Sequence, residues 1–137
     1  MILGFPGESR DEMLETADFF NRLGIAGVKL HNLHVLKNTM LENHHRAGAV
    51  PLMSQAEYAE LAVDFLERLN PEIVMHRLSA EAHRSITVAP PWSVDKRGMH
   101  NAIARALIQR DAWQGRLYTK PEIRHSLPVM LSEGAVT

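Results

Sequence analysis

The spacing of apolar positions switches between two periods along this chain, and the switches mark its elements. Residues 1–5 are an apolar run that passes at once into Pro6-Gly7-Glu8, which reads as the end of a strand followed by a turn. Ser9 and Glu12 form a capping box, in which hydroxyl and carboxylate satisfy backbone donors left free by the first helical turn, so a helix begins near Arg10. Met13, Leu14, Ala17, Phe20 and Leu23 recur at helical spacing and make its apolar face, and Gly24 supplies a left-handed stop. Residues 25–35 alternate with period two and are rich in branched side chains, which predicts a second strand. Residues 37–52 read as a loop or irregular helix carrying His44 and His45. Ser54 with Glu57 repeats the capping box and opens a second helix, whose face is Tyr58, Leu61, Ala62, Phe65, Leu66 and Leu69. Asn70-Pro71 ends it, and residues 73–78 predict a third strand.

A strand–helix–strand order with short connections implies right-handed crossovers and a parallel sheet, so the fold class is α/β with a βαβαβ rhythm. After Ser79 the texture changes to a connector ending in Ala89-Pro90-Pro91-Trp92. Ser93 is placed to cap a last helix over 94–109, with Met99, Ala102, Ile103 and Ala106 facing inward. The expected division is an α/β unit over 1–79, a C-terminal helical extension over 80–118, and a partly ordered tail over 119–137, where periodicity is weak.

Composition changes this picture in one respect. With 45% hydrophobic and 23% charged residues in 137, the chain suits one soluble globular unit with a modest core. A formal charge of −1 argues against a broad nucleic-acid surface, and Lys96, Arg97, Arg105, Arg110 and Arg116 read as a solvated helix face. No run reaches the ~18 apolar residues of a membrane span, and no signal peptide is recognisable, so a cytoplasmic protein is expected. Cysteine is absent, which removes disulfides, thiolate nucleophiles and cysteine-held metals or clusters from this chain.

Parallel α/β folds do their chemistry at the C-terminal ends of strands. The segment Gly4-Phe5-Pro6-Gly7-Glu8 joins a strand to a capped helix, so its backbone donors can meet a ligand's polar groups; the alternative is a tight turn that needs glycine for its backbone angles. On the second strand Val28 and Leu30 share one face and Lys29, His31 and Leu33 the other. With the apolar face on helices, Lys29 and His31 point into a sheet-top cavity and need partners or a ligand; the alternative is a solvated edge strand with a snorkelling lysine. Period two sets His31 and His34 on opposite faces, which argues against a shared metal. His76 and Arg77 point opposite ways on the third strand, and the sequence leaves open which faces inward.

Taken together, Ile-Leu-Gly-Phe-Pro-Gly-Glu at 2–8 and Gly-Val-Lys-Leu-His-Asn-Leu-His-Val-Leu-Lys-Asn-Thr at 27–39 resemble a radical S-adenosylmethionine (radical SAM) group of bacterial proteins. The likeness continues through Glu57-Tyr58, His76-Arg77-Leu78, Ala89-Pro90-Pro91-Trp92 with Lys96, and Trp113-Gln114-Gly115 with Tyr118. The C-terminal part is also distantly similar to the catalytic subunit of elongator, a tRNA-directed relative. The resemblance implies the C-terminal half of a partial TIM-type barrel, with SAM against Gly4, Pro6, Gly7 and Glu8. It also implies a [4Fe-4S] cluster on a cysteine loop elsewhere, which cleaves SAM reductively to a 5′-deoxyadenosyl radical. Lys29, His31 and Arg77 are then expected to contact the substrate or the SAM carboxylate, Arg77 being preferred to His76 on the resemblance alone. Ala80-Glu81 departs from the glycine and aspartate that relatives tend to carry. On this reading the chain is part of a longer enzyme, inactive alone, whose partners are SAM, an unknown substrate and a cysteine-bearing half, with self-association through unpaired strand edges. The rival expectation is a non-catalytic α/β binding or assembly module, or a protein related to tRNA modification.

Overall fold

A computed structural model of the chain describes residues 1–120. The expected tail therefore lies, from residue 121 onward, outside the described residues. Strand β1 (Ile2–Leu3) is followed by helix α1 (Arg10–Leu23), short strands β2 (Gly27–Lys29), β3 (His31–Asn32) and β4 (Val35–Leu36), and helices α2 (Met40–Arg46) and α3 (Gln55–Arg68). Strands β5 (Val74–Arg77) and β6 (Thr87–Ala89), a 3-10 turn over Pro91–Val94 and helix α4 (Lys96–Gln109) complete the order.

Both expected capping boxes form. Ser9 and Ser54 accept from the backbone N–H of Glu12 and Glu57, and each glutamate reaches back to its serine's N–H. Gly24 ends α1 in the left-handed conformation at φ 63. The cap of α4 differs from expectation: Asp95 accepts from the Gly98 N–H, while the Ser93 hydroxyl turns back to the Pro90 carbonyl. The 3-10 turn occupies the residues at which the helix was expected to begin.

The strands form three two-stranded pairings. β1 pairs in parallel with β3, Ile2 opposite His31 and Leu3 opposite Asn32. β2 pairs in parallel with β5, with an irregularity that sets Lys29 opposite Arg77. Leu30 alone separates β2 from β3. Its N–H donates to the Arg77 carbonyl, whereas the next N–H, of His31, donates to the Met1 carbonyl. The 27–32 segment thus has β1 on one edge and β5 on the other. The third pairing, antiparallel between β4 and β6, was not expected from the sequence.

Side-chain alternation places Val28, Leu30 and Asn32 on the buried face, with Leu3 beside Asn32, while Lys29 is exposed and His31 half-buried on the other. Met13, Leu14 and Ala17 of α1 and Leu61, Ala62 and Phe65 of α3 cover the buried face. Full burial of side chains such as Leu61 and Phe65 contributes about 2 kcal/mol each. Leu23, expected on the apolar face of α1, lies at its last turn and is 57% exposed. Helix α3 is buried over more than the one expected stripe, including Val63 and Glu67, because α1 packs on one flank and α4 on another. Met99, Ile103 and Ala106 of α4 belong to the same core as the sheet. No helix among the described residues is long and apolar enough to cross a membrane.

Candidate functional site

The turn after β1 and the approach to α3 enclose one cleft. Gly4 and Gly7 take φ values of 83 and 89, a region that costs any other residue about 1–2 kcal/mol. The Glu8 N–H closes the turn on the Phe5 carbonyl at 3.2 Å, and the Gly4 N–H donates to the Met13 sulfur at 3.2 Å. Residues 51–53 lie opposite, and the space between is about 220 Å³, lined by Phe5, Pro6, Met13, Leu52 and Met53 with Glu8 and Glu57. Hydrogen bonds from the Ser54 backbone and hydroxyl hold the Glu57 carboxyl below its ordinary range, and that carboxylate is engaged by the cap. Glu8 is the acidic side chain of the cleft outside the capping boxes.

At the end of β3, Asn32 and His34 clasp one residue of the crossing connector. The Asn32 Oδ1 accepts from the Ala80 N–H at 3.0 Å, and His34 Nε2 donates to the Ala80 carbonyl at 3.2 Å. A carbonyl only accepts, so His34 carries its proton on Nε2 when neutral. The same argument places the His31 proton on Nδ1, 2.8 Å from the Asn32 carbonyl. Burial holds the His34 imidazole below its ordinary range, helped by the neighbouring His31 and Arg77 and opposed by the Ala80 carbonyl. The expectation that His31 and His34 lie on opposite faces is corrected: β3 stops at Asn32, so period-two alternation does not run on to His34, and the ring centroids lie 5.0 Å apart. Among the described residues no group of three His, Cys, Asp or Glu side chains is arranged to hold a metal ion.

A second cleft, of about 190 Å³, lies between the connector after β5 and the start of α4. Arg77, Ser79 and Glu81 line one wall and Trp92, Asp95 and Lys96 the other. The walls are tied down: Tyr58 Oη donates to the Leu78 carbonyl at 2.8 Å, and Trp92 Nε1 donates to the Met53 carbonyl at 2.9 Å.

Of the residues expected from the sequence, Gly4, Pro6, Gly7 and Glu8 line the first cleft together. Arg77 lines the second, while the His76 ring lies against Gly27, its Nε2 2.5 Å from where a β-carbon would stand. Lys29 and His31 line neither cleft and sit on the sheet face away from the helices. Asn32, Ser79 and Trp92 were not singled out as site residues. For Asn32 a signal existed: it is a polar side chain at an inward position of a strand whose inward neighbours are Val28 and Leu30.

Residues 25–109, more than half of the chain, match the family model described as the Radical_SAM C-terminal domain, and the chain belongs to that family. It is 35% identical over 127 residues to Uncharacterized protein YtqA of Bacillus subtilis, covering 93% of this chain and 39% of that protein. It is 38% identical over 116 residues to Uncharacterized protein MJ0486 of Methanocaldococcus jannaschii, covering 84% and 36% respectively. Protein YhcC of Escherichia coli is 34% identical over 92 residues, covering 67% and 30%. The chain thus spans less than two fifths of the length of each of these relatives. The family relation implies SAM and a [4Fe-4S] cluster in full-length members, but this chain has no cysteine to ligate a cluster. The residues present therefore do not fit the cluster.

Proposed function

We propose that this chain forms one wall of a radical SAM barrel, completed by a cysteine-bearing half that holds the cluster. The observation that supports this reading is the bare face of the sheet. Parallel strands are ordinarily covered on both faces, yet among the described residues helices α1 and α3 pack on one face, and the other presents Lys29 and His31 with Ile2 40% and Val74 56% exposed. A barrel resolves the contradiction, because its helices lie outside and this face lines the interior.

In that setting the 4–8 cleft is the place for the adenosyl part of SAM. Its apolar lining suits a ring system, and the Glu8 carboxylate can accept from hydroxyl or amino groups. Gly4 and Gly7 set the turn's path, and Pro6 stiffens it. Lys29 and His31 project from the interior face toward substrate or the SAM carboxylate, and Arg77 does so from the strand end. A cluster-bearing half would supply the reductive chemistry that acts on SAM; this chain's residues would bind and orient SAM and exclude water. The lack of cysteine also favours a second reading, a non-catalytic module that lends this wall to a separate cluster-bearing chain.

The test is amide NMR of the chain with SAM and with 5′-deoxyadenosine. Saturable shifts at Gly4, Gly7 and Glu8 that weaken in Gly7→Val support the assignment. Binding that is unchanged in Gly7→Val, or an absence of binding after the cysteine-bearing half has been joined, would sink it.

A further inference from the structure

Arg77 at the end of β5 and Lys96 at the start of α4 come from different elements and line the same cleft of about 190 Å³. Neither has a carboxylate partner among the described residues. Asp95 is engaged as the cap of α4, accepting from the Gly98 N–H at 2.9 Å, so Glu81 is the uncommitted carboxylate facing the two cations. The first turn of α4 contains no acid and begins with Lys96 and Arg97. Cations there oppose the helix macrodipole, an arrangement that an anionic ligand would reverse.

The cleft is also built to hold its shape. The Ala80 N–H and carbonyl are both fixed by Asn32 and His34. The opposite wall is fixed by the Trp92 indole on Met53 and by the buried Ser93 hydroxyl on Pro90. Asn32 and His34 are thus positioning residues for the Ser79 to Glu81 wall, and a preorganised wall costs a ligand less ordering on binding.

We propose that this cleft binds the oxyanion, carboxylate or phosphate, of a small organic molecule, with Arg77 and Lys96 on the oxygens and the Trp92 indole against the apolar part. Only the identification of that molecule as the substrate rests on the barrel reading; the binding itself belongs to this chain and requires neither SAM nor cluster.

The experiment is an amide and indole NMR titration of the full chain, without SAM, using phenyl phosphate, benzoate, inorganic phosphate and benzyltrimethylammonium as probes. Phenyl phosphate or benzoate should produce saturable shifts at Ser79, Glu81 and the Trp92 indole N–H, more tightly than inorganic phosphate. Preference for phenyl phosphate identifies a phosphate ligand, and preference for benzoate a carboxylate. Arg77→Ala and Lys96→Ala should each weaken binding about tenfold, the scale of a lost charge-assisted hydrogen bond, while Glu81→Gln should tighten it. Spectra that keep their dispersion establish that each variant is folded. The proposal is overturned by the absence of saturable shifts with either aromatic anion, by unchanged affinity in folded Arg77→Ala and Lys96→Ala, or by an equal response to the ammonium probe.

Discussion

The imidazoles of His31 and His34 stand 5.0 Å apart between centroids and are tilted by 59° to one another. Each donates to a carbonyl, so a proton added to His34 lands on its Nδ1, the nitrogen that faces away from the Ala80 carbonyl. Adding charge to His34 is disfavoured by its burial, by His31 and by Arg77, which lowers its affinity for protons below the ordinary 6.5. The unfolded chain then binds this proton at higher pH than the folded one, so the stabilisation is complete above about 6.5 and declines as pH falls toward the depressed native value. The lowered carboxylates of Glu12, Glu42 and Glu57 act in a separate window below 4.5. Urea midpoints measured between these values should fall with pH in the native chain and stay flatter in His34→Gln. An equal fall in the variant would contradict the assignment.

Glu67 is fully buried and receives Arg110 Nη2 at 2.5 Å on one oxygen and Arg116 Nε on the other. Arg110 also reaches Asp64 at 2.6 Å and Glu60 at 2.9 Å, which ties α3 to the end of α4. Glu67→Ala removes the buried carboxylate that joins the two guanidiniums, leaving Arg116 without its ion-pair partner while Arg110 keeps Asp64 and Glu60, and should destabilise the chain by about 2 kcal/mol, with Glu67→Gln costing less. Urea unfolding measures both, and a loss below 1 kcal/mol in the alanine variant would show the network to be a surface arrangement of small effect.

That network also marks where sequence reasoning stops. Arg110 and Arg116 read as part of a solvated basic face because their acidic partners lie more than forty positions away, on a helix whose pattern gave no sign of a second covered flank. Local signals fared better. Both capping boxes, the Gly24 stop and the inward Val28 and Leu30 follow from a few adjacent residues. The His34 contact with Ala80 and the β4–β6 pair depend on residues 80–89, which local periodicity does not encode, whereas the Asp95 cap on Gly98 is a local signal that the choice of Ser93 passed over. The 4–8 turn was legible because two glycines and a proline leave few backbone paths. Lys29 and His31 were legible as a face, but the cleft holding Arg77 required the connector to fold back.

Asn32 is 1% exposed, and its Oδ1 is the hydrogen-bond partner of the Ala80 N–H. Asn32→Ala strands that donor in a buried site and should cost about 2 kcal/mol. Hydrogen exchange should show the Ala80 amide accelerated more than amides in the middle of α3. Uniform acceleration, or none, would mean that the clasp does not fix the connector.

The sheet face and the outer edges of β1 and β5, uncovered among the described residues, predict association between copies when no cysteine-bearing half is present. Light scattering across micromolar concentrations should give a mass that rises with concentration, and Ile2→Lys with Val74→Lys should reduce that rise. A compact monomer at every concentration would contradict the exposed-wall account.

The central claim is that this chain is the SAM-facing wall of a barrel whose cluster lies on another half. The direct measurement joins this chain to a cysteine-bearing half of a radical SAM barrel, reconstitutes the hybrid anaerobically with iron and sulfide, and follows 5′-deoxyadenosine after dithionite and SAM are added. The account predicts 5′-deoxyadenosine from the hybrid, sharply less from its Gly7→Val form, and none from the 137 residues alone. A hybrid that carries a full cluster yet makes no 5′-deoxyadenosine, or makes as much with Gly7→Val, would contradict it.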